Sequence, residues 1–211
     1  MKYPPSIERV FDSNGWFDLI SFSIDELEKE NLLLIIEEKP YLQDSYGNFR
    51  GYFSEDVGVC VASKNEYWPL VLVHEMAHFL IWKQNDKHLD FGPNMLLDKW
   101  LEGGDIDNLY ETILSCMDDE LLAERKAVEI LQQFNIPYDI DVYIQDANAY
   151  MFFWCWVYDH RKWDNKVANS RKVINLCCNY FLENPEAYML DYHKNHKLRL
   201  AMNEAHDAGK S

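Results

Sequence analysis

The sequence predicts an α+β fold: a small β-sheet packed on a central helix, followed by a mainly helical C-terminal half. Three observations predict it. Two short apolar runs, LLLIIE at residues 32–37 and VGVCVA at residues 57–62, have strand length and polar or turn-forming borders. One segment, from Pro69 to about Lys83, is apolar nearly all round, which suits a helix in the middle of a domain. The chain after residue 109 then reads as a succession of helices broken by proline and polar stretches.

Each element has its own signal. Residues 1–20 read as a lead-in with a turn at Asn14-Gly15. Ser23 can cap a helix that begins at Ile24, with Asp25 and Glu26 in its first turn. The first strand, residues 32–37, is closed by Pro40. Residues 44–51 (DSYGNFRG) carry turn chemistry, and residues 57–62 form the second strand. Pro69 suits the first position of the central helix, which ends at Gln84-Asn85-Asp86. Residues 86–108 read as loop with a short helix near 95–101. A long helix runs from about Leu109 to Phe134 and stops before Pro137. Further helices are expected over roughly 139–161, 166–183 and 185–206. The domain division expected is 1–136 as a core and 137–211 as a helical extension packed on it.

Composition narrows the function classes. The chain has 211 residues, 48% hydrophobic and 15% aromatic, enough for a full core and against disorder. Its formal net charge is −16. Such a surface repels phosphate backbones, so nucleic-acid binding is not expected. The five cysteines form no C-x-x-C pair, which argues against a disulfide framework and for a reducing compartment. Residues 1–15 hold no signal-peptide core, and the longest apolar run, 149–158, is too short to span a bilayer. A soluble, cytoplasmic protein is the expectation.

The chemistry is carried by His74-Glu75-Met76-Ala77-His78, an H-E-x-x-H motif. Residues i and i+4 of a helix share a face, so both imidazoles can reach one ion. Glu75 lies on the neighbouring face, where its carboxylate can meet a metal-held water as general base. A catalytic zinc keeps three protein ligands and one open position, and lowers the pKa of its water to roughly 7. Placing a His, a Glu and a His in so apolar a helix is costly unless something compensates.

Two histidines need a third partner. On a helical wheel at about 100° per residue, Ile113, Cys116, Met117, Leu121, Ala123, Ala127, Val128, Leu131 and Phe134 fall on one side of the long helix. Ser115, Asp118, Asp119, Arg125, Lys126, Glu129, Gln132 and Gln133 fall on the other. Glu120 and Glu124 break the pattern, pointing into the apolar face one turn apart. A cation held by His74 and His78 would answer those carboxylates. Glu120 is the candidate third ligand, and Glu124 the candidate acceptor for the far nitrogen of a ligating histidine. The reverse assignment remains open, as does a loosely packed helix with both glutamates in solvent.

H-E-M-A-H followed by E-L-L-A-E-R-K-A at residues 120–127 resembles the gluzincin branch of the zincin metallopeptidases, and within it the ImmA/IrrE-like family of bacterial and phage proteins. The resemblance covers residues 32–134. It implies a zinc peptidase acting on a protein or peptide substrate, with residues 57–62 as a cleft strand that pairs with extended substrate. The long segment 79–119 and the tail after Pro137 depart from that pattern. The reaction implied is metal-assisted amide hydrolysis, with Glu75 passing the proton to the leaving amine. Tyr150, His160 and His193 are available to stabilise an oxyanion, and nothing in the sequence selects one. His88, His196 and His206 read as surface residues. Residues 143–163 (YIQDANAYMFFWCWVYDHRKW) read as a core helix that could expose part of its aromatic face to a partner. A different class of function is also open: an acidic interaction or inhibitor protein on a zincin scaffold, with a structural or sensing metal.

Overall fold

The computed structural model describes residues 14–44, 47–64, 67–85 and 92–208, without the side chains of Asn14 and Asp44. The fold is α+β, as expected. The chain forms two compact units, one from Met1–Leu89 and Lys126–Tyr138, the other from Asp90–Arg125 and Asp139–Ser211. Residues 90–125 cluster with the C-terminal helices.

The first unit opens with helix α1, Asn14–Glu28. It begins ten residues before the expected start at Ile24, and Asn14-Gly15 is its first turn rather than a reverse turn. Trp16, Leu19, Ile20, Ser23 and Leu27 are all buried, a stripe at helical spacing. Ser23 sits inside that stripe and its Oγ donates to the carbonyl of Leu19 at 2.7 Å. It bonds backward along the helix instead of capping a new one. Gly15 is there for contact: a Cβ at this position would lie 2.5 Å from the Phe134 carbonyl oxygen.

Asn31, with φ 60°, ends α1, and the Leu32 amide closes back on the Leu27 carbonyl at 2.9 Å, the six-to-one bond of a left-handed helix stop. Strands β1 (Leu33–Glu37), β4 (Gly51–Ser54) and β5 (Gly58–Ala62) form a three-stranded sheet in the order β1-β5-β4. β1 runs parallel to β5, with Leu33 opposite Gly58, and β4 runs antiparallel, with Gly51 opposite Val61. β2 (Leu42–Asp44) and β3 (Gly47–Phe49) pair as a separate antiparallel hairpin. The stretch read as turn chemistry at 44–51 thus holds strand as well; its Gly and polar content masked runs of only three and four residues. β5 is buried along its whole length, and both its edges are taken by β1 and β4. It therefore has no edge to offer an added substrate strand, which corrects the pairing implied for residues 57–62.

Helix α2, Trp68–Gln84, carries Pro69 in its first turn and packs on β4 and β5. Trp68, Leu72, Val73, Met76, Ala77 and Phe79 are fully buried. Lys83 in its last turn pairs with Glu26 at 2.9 Å and Glu30 at 3.2 Å, tying α2 to the end of α1.

The second unit is helical. It contains α3 (Gly92–Leu101), the first part of α4 (Leu109–Gln133), α5 (Ile140–His160), the single turns α6 (Asn165–Ala168) and α7 (Arg171–Ile174), α8 (Pro185–Lys194) and α9 (His196–Asp207). α4 is one unbroken helix whose last turns, from Lys126, belong to the first unit. The expected helix over 166–183 is two single turns followed by an irregular stretch. That stretch is held by side chains: Arg125 donates to the carbonyls of Leu182 and Glu183, and Asn148 to those of Cys178 and Tyr180. The expected helix over 185–206 breaks at Asn195, whose side chain accepts from the Leu198 amide and so starts α9. In α5, Met151 to Val157 are all buried. The aromatic stretch is core, with Trp163 exposed just beyond it. Arg161, left-handed at φ 51°, ends α5 and donates to the carbonyls of Trp100 and Gly104.

All five cysteines are free thiols. Burial pushes the thiols of Cys116 and Cys177 up to about 12, so both stay protonated. No helix among the described residues is long and apolar enough to cross a membrane.

Candidate metal centre

The centre is built on α2 and α4. On α2, His74 and His78 lie one turn apart, with ring centroids 4.8 Å apart and planes at 83°. Their Nε2 atoms approach to 3.2 Å. Two imidazoles that turn the same nitrogen toward one point are arranged for a shared proton or a shared cation. Both rings are half-buried, while Glu75 between them is buried at 9% exposure.

The wall behind Glu75 is β4. A Cβ on Gly51 would stand 2.5 Å from Val71 Cγ1 and 3.2 Å from Glu75 Cγ. The absence of a side chain at Gly51 lets the sheet reach the face of α2 that carries Glu75. Nothing in the hydropathy pattern marks that glycine; only the strand-to-helix approach gives it a role.

On α4, Ile113, Cys116, Met117, Leu121, Ala123, Ala127 and Leu131 of the expected apolar side are buried, and Ser115, Asp118, Asp119, Glu129, Gln132 and Gln133 of the polar side are exposed; Val128 and Phe134 from the first set and Arg125 and Lys126 from the second are half-buried. Glu120 is half-buried and Glu124 is buried at 7% exposure. The reading in which both glutamates reach solvent fails for Glu124. One ligand atom each from His74, His78 and Glu120 lies within 4.8 Å of the others. These three residues form a group that could hold a metal ion, and it is the only such group among the described residues. Two imidazole nitrogens and a carboxylate oxygen are a donor set that suits a borderline-soft divalent ion.

Glu124 has a partner that the sequence did not suggest. The Tyr143 hydroxyl, on α5, donates to its Oε2 at 2.6 Å. Tyr143 is itself buried at 6% exposure. Nearby on α5, burial raises the Asp146 carboxyl above its usual range; Arg171, 3.9 Å away, opposes the shift and the charge of Glu124 adds to it. Tyr143 and Asp146 sit three apart at the start of a helix rich in aromatics, so the wheel for α5 reads as ordinary core. Their tie to Glu124 becomes visible only once α4 and α5 are side by side.

The oxyanion candidates all lie in the second unit, where each makes a ring contact. Tyr150 stacks on Phe153 at 6.3 Å. The His160 ring lies flat on Trp156 at 4.4 Å, with Nδ1 2.9 Å from the Trp156 carbonyl oxygen. His193 meets the ring of Tyr192 at 5.4 Å. His206, read as a surface residue, is half-buried and its Nδ1 lies 2.8 Å from Asp164 Oδ2. His88 lies outside the described residues.

Comparison with known protein families, with curated proteins and with solved structures finds no match for this chain.

Proposed function

We propose that the chain is a zinc-dependent metallohydrolase of the gluzincin type, ImmA/IrrE-like in its motifs, that cleaves an amide bond in a protein or peptide. The observation that carries this reading is the convergence of His74, His78 and Glu120, with one ligand atom from each within 4.8 Å of the others. Glu75 adds to it. A site that merely braces a fold has no use for a carboxylate between its two histidines.

The three ligands would hold the metal through two neutral imidazoles and one carboxylate. Zinc, when bound there, supplies Lewis acidity and an acidified water. Glu75, rooted against β4 through the gap left by Gly51, takes the proton of the attacking water and delivers it to the leaving nitrogen. An extended substrate would add to an edge strand, since β5 is enclosed. β4 is the edge beside Glu75, and among the described residues no strand pairs with its far side. The free thiols fit a reducing, cytoplasmic setting.

The −16 charge favours a second reading, an acidic interaction protein whose metal is structural or sensing. Metal analysis of untagged protein separates the two when joined to a hydrolysis assay on casein-type and peptide-library substrates. About one zinc per chain is expected, lost in the His74→Ala/His78→Ala double variant. Glu75→Gln should keep the metal and lower hydrolysis by about 100-fold or more. Full hydrolysis by Glu75→Gln removes Glu75 as the base. Zinc without hydrolysis in the unmodified chain favours the second reading.

A further inference from the structure

We infer that Tyr143 is a positioning residue for the metal centre: its hydroxyl fixes the buried Glu124 carboxylate one turn along α4 from Glu120, so that two carboxylates rather than one face the cation. The inference rests on the metal-binding reading of His74, His78 and Glu120.

Glu124 is buried at 7% exposure and Tyr143 at 6%, so neither is hydrated freely. The Tyr143 hydroxyl donates to Glu124 Oε2 at 2.6 Å, a bond short and directional enough to fix where the carboxylate points. Asp146 lies close enough for the charge of Glu124 to raise its carboxyl further, and Arg171 answers Asp146 from 3.9 Å.

Glu120 and Glu124 are i and i+4 on one helix, where side chains stack on the same line. A cation held by Glu120 therefore lies in the field of Glu124 as well. A carboxylate that swung freely would contribute little to that field. Tied to Tyr143, it contributes a fixed charge, as second-layer partners of metal ligands do. Tyr143 reaches the centre through Glu124.

The test is zinc affinity of the full chain, measured by competition with a chromophoric chelator, for Tyr143→Phe, Glu124→Gln and the double variant. Tyr143→Phe keeps the ring and removes only the donor. Each single variant should weaken zinc about 10-fold, and the double should be no weaker than Glu124→Gln alone, because the tyrosine acts through the glutamate. Thermal unfolding of the zinc-free proteins accompanies the titration. A stability loss with unchanged zinc affinity in Tyr143→Phe makes the bond purely structural and overturns the inference, while leaving the metal centre standing. Additive losses in the double variant overturn it too. If Tyr143→Phe does not fold, Glu124→Gln decides: it can still accept from Tyr143 and lacks only the charge, so unchanged affinity sinks the inference. An unmodified chain that binds no zinc sinks both this inference and the function it rests on.

Discussion

At the scale of single residues, the candidate centre depends on side chains that are absent as much as on those present. Gly51 leaves room for Glu75 and Val71 against the sheet. Gly51→Ala puts a methyl group 2.5 Å from Val71 Cγ1 and 3.0 Å from the Cys60 carbonyl oxygen, a clash that includes backbone and cannot be relieved by a rotamer change alone. Urea unfolding should show a loss of about 1–3 kcal/mol. Hydrolysis should fall by more than stability accounts for, because Glu75 is one of the displaced groups. Unchanged stability in Gly51→Ala would mean that the strand and helix stand further apart than described. The histidines and Glu75 were legible in the sequence because their spacing itself encodes the geometry. Gly51 and Tyr143 were not: their roles come from neighbours 24 and 19 positions away along the chain, and no local pattern records them.

At the scale of elements, the tie between α1 and α2 is ionic and so depends on pH. Hydrogen bonds from Lys29, then from Lys83, hold the Glu26 carboxyl below its ordinary value of 4.5; Glu26 in turn holds Lys83 above 10.5. The depressed acid stabilises fully above its unfolded value and loses that contribution as pH falls through its folded value. The raised amine stabilises fully below 10.5 and loses its contribution as pH climbs through its folded value. Between those limits the tie is constant. Lys83→Met should cost about 1 kcal/mol or less near pH 7, as expected for partly exposed pairs. That difference should shrink as denaturation is repeated below about pH 4. A cost independent of pH would assign the loss to packing of the lysine stem on Phe79, 5.9 Å from its Nζ. Element legibility followed the same logic. α2 and α4 were readable because long periodic runs outweigh local ambiguity. α1 was misplaced because Ser23, a residue suited to capping, bonds backward inside a buried stripe. The break at Asn195 was missed because two helices with compatible periods read as one.

At the scale of the whole molecule, α4 runs through both compact units and carries both glutamates, so metal binding should be felt in unfolding. A ligand that binds only the folded chain stabilises it by about 2.7 kcal/mol at a free concentration 100 times its Kd. Zinc should raise the midpoint of thermal unfolding of the unmodified chain and leave that of His74→Ala/His78→Ala where it was. An equal rise in both proteins would place the metal elsewhere. Two units give reason to follow unfolding with more than one probe, since a single transition is not assured.

By itself the sequence determined the α+β class, the central helix, the pair of histidines with Glu75, and the face of α4 that carries Glu120 and Glu124. Each of these is a periodic or fixed-spacing property, and helix geometry converts spacing into direction without reference to the rest of the chain. Only the tertiary structure decided that β5 is enclosed, that Gly51 makes room for Glu75, that Tyr143 holds Glu124, and that residues 90–125 cluster with the C-terminal helices. Those are contacts between segments remote in sequence, and they are set by how buried surfaces and polar groups are satisfied together rather than by any one segment's preference.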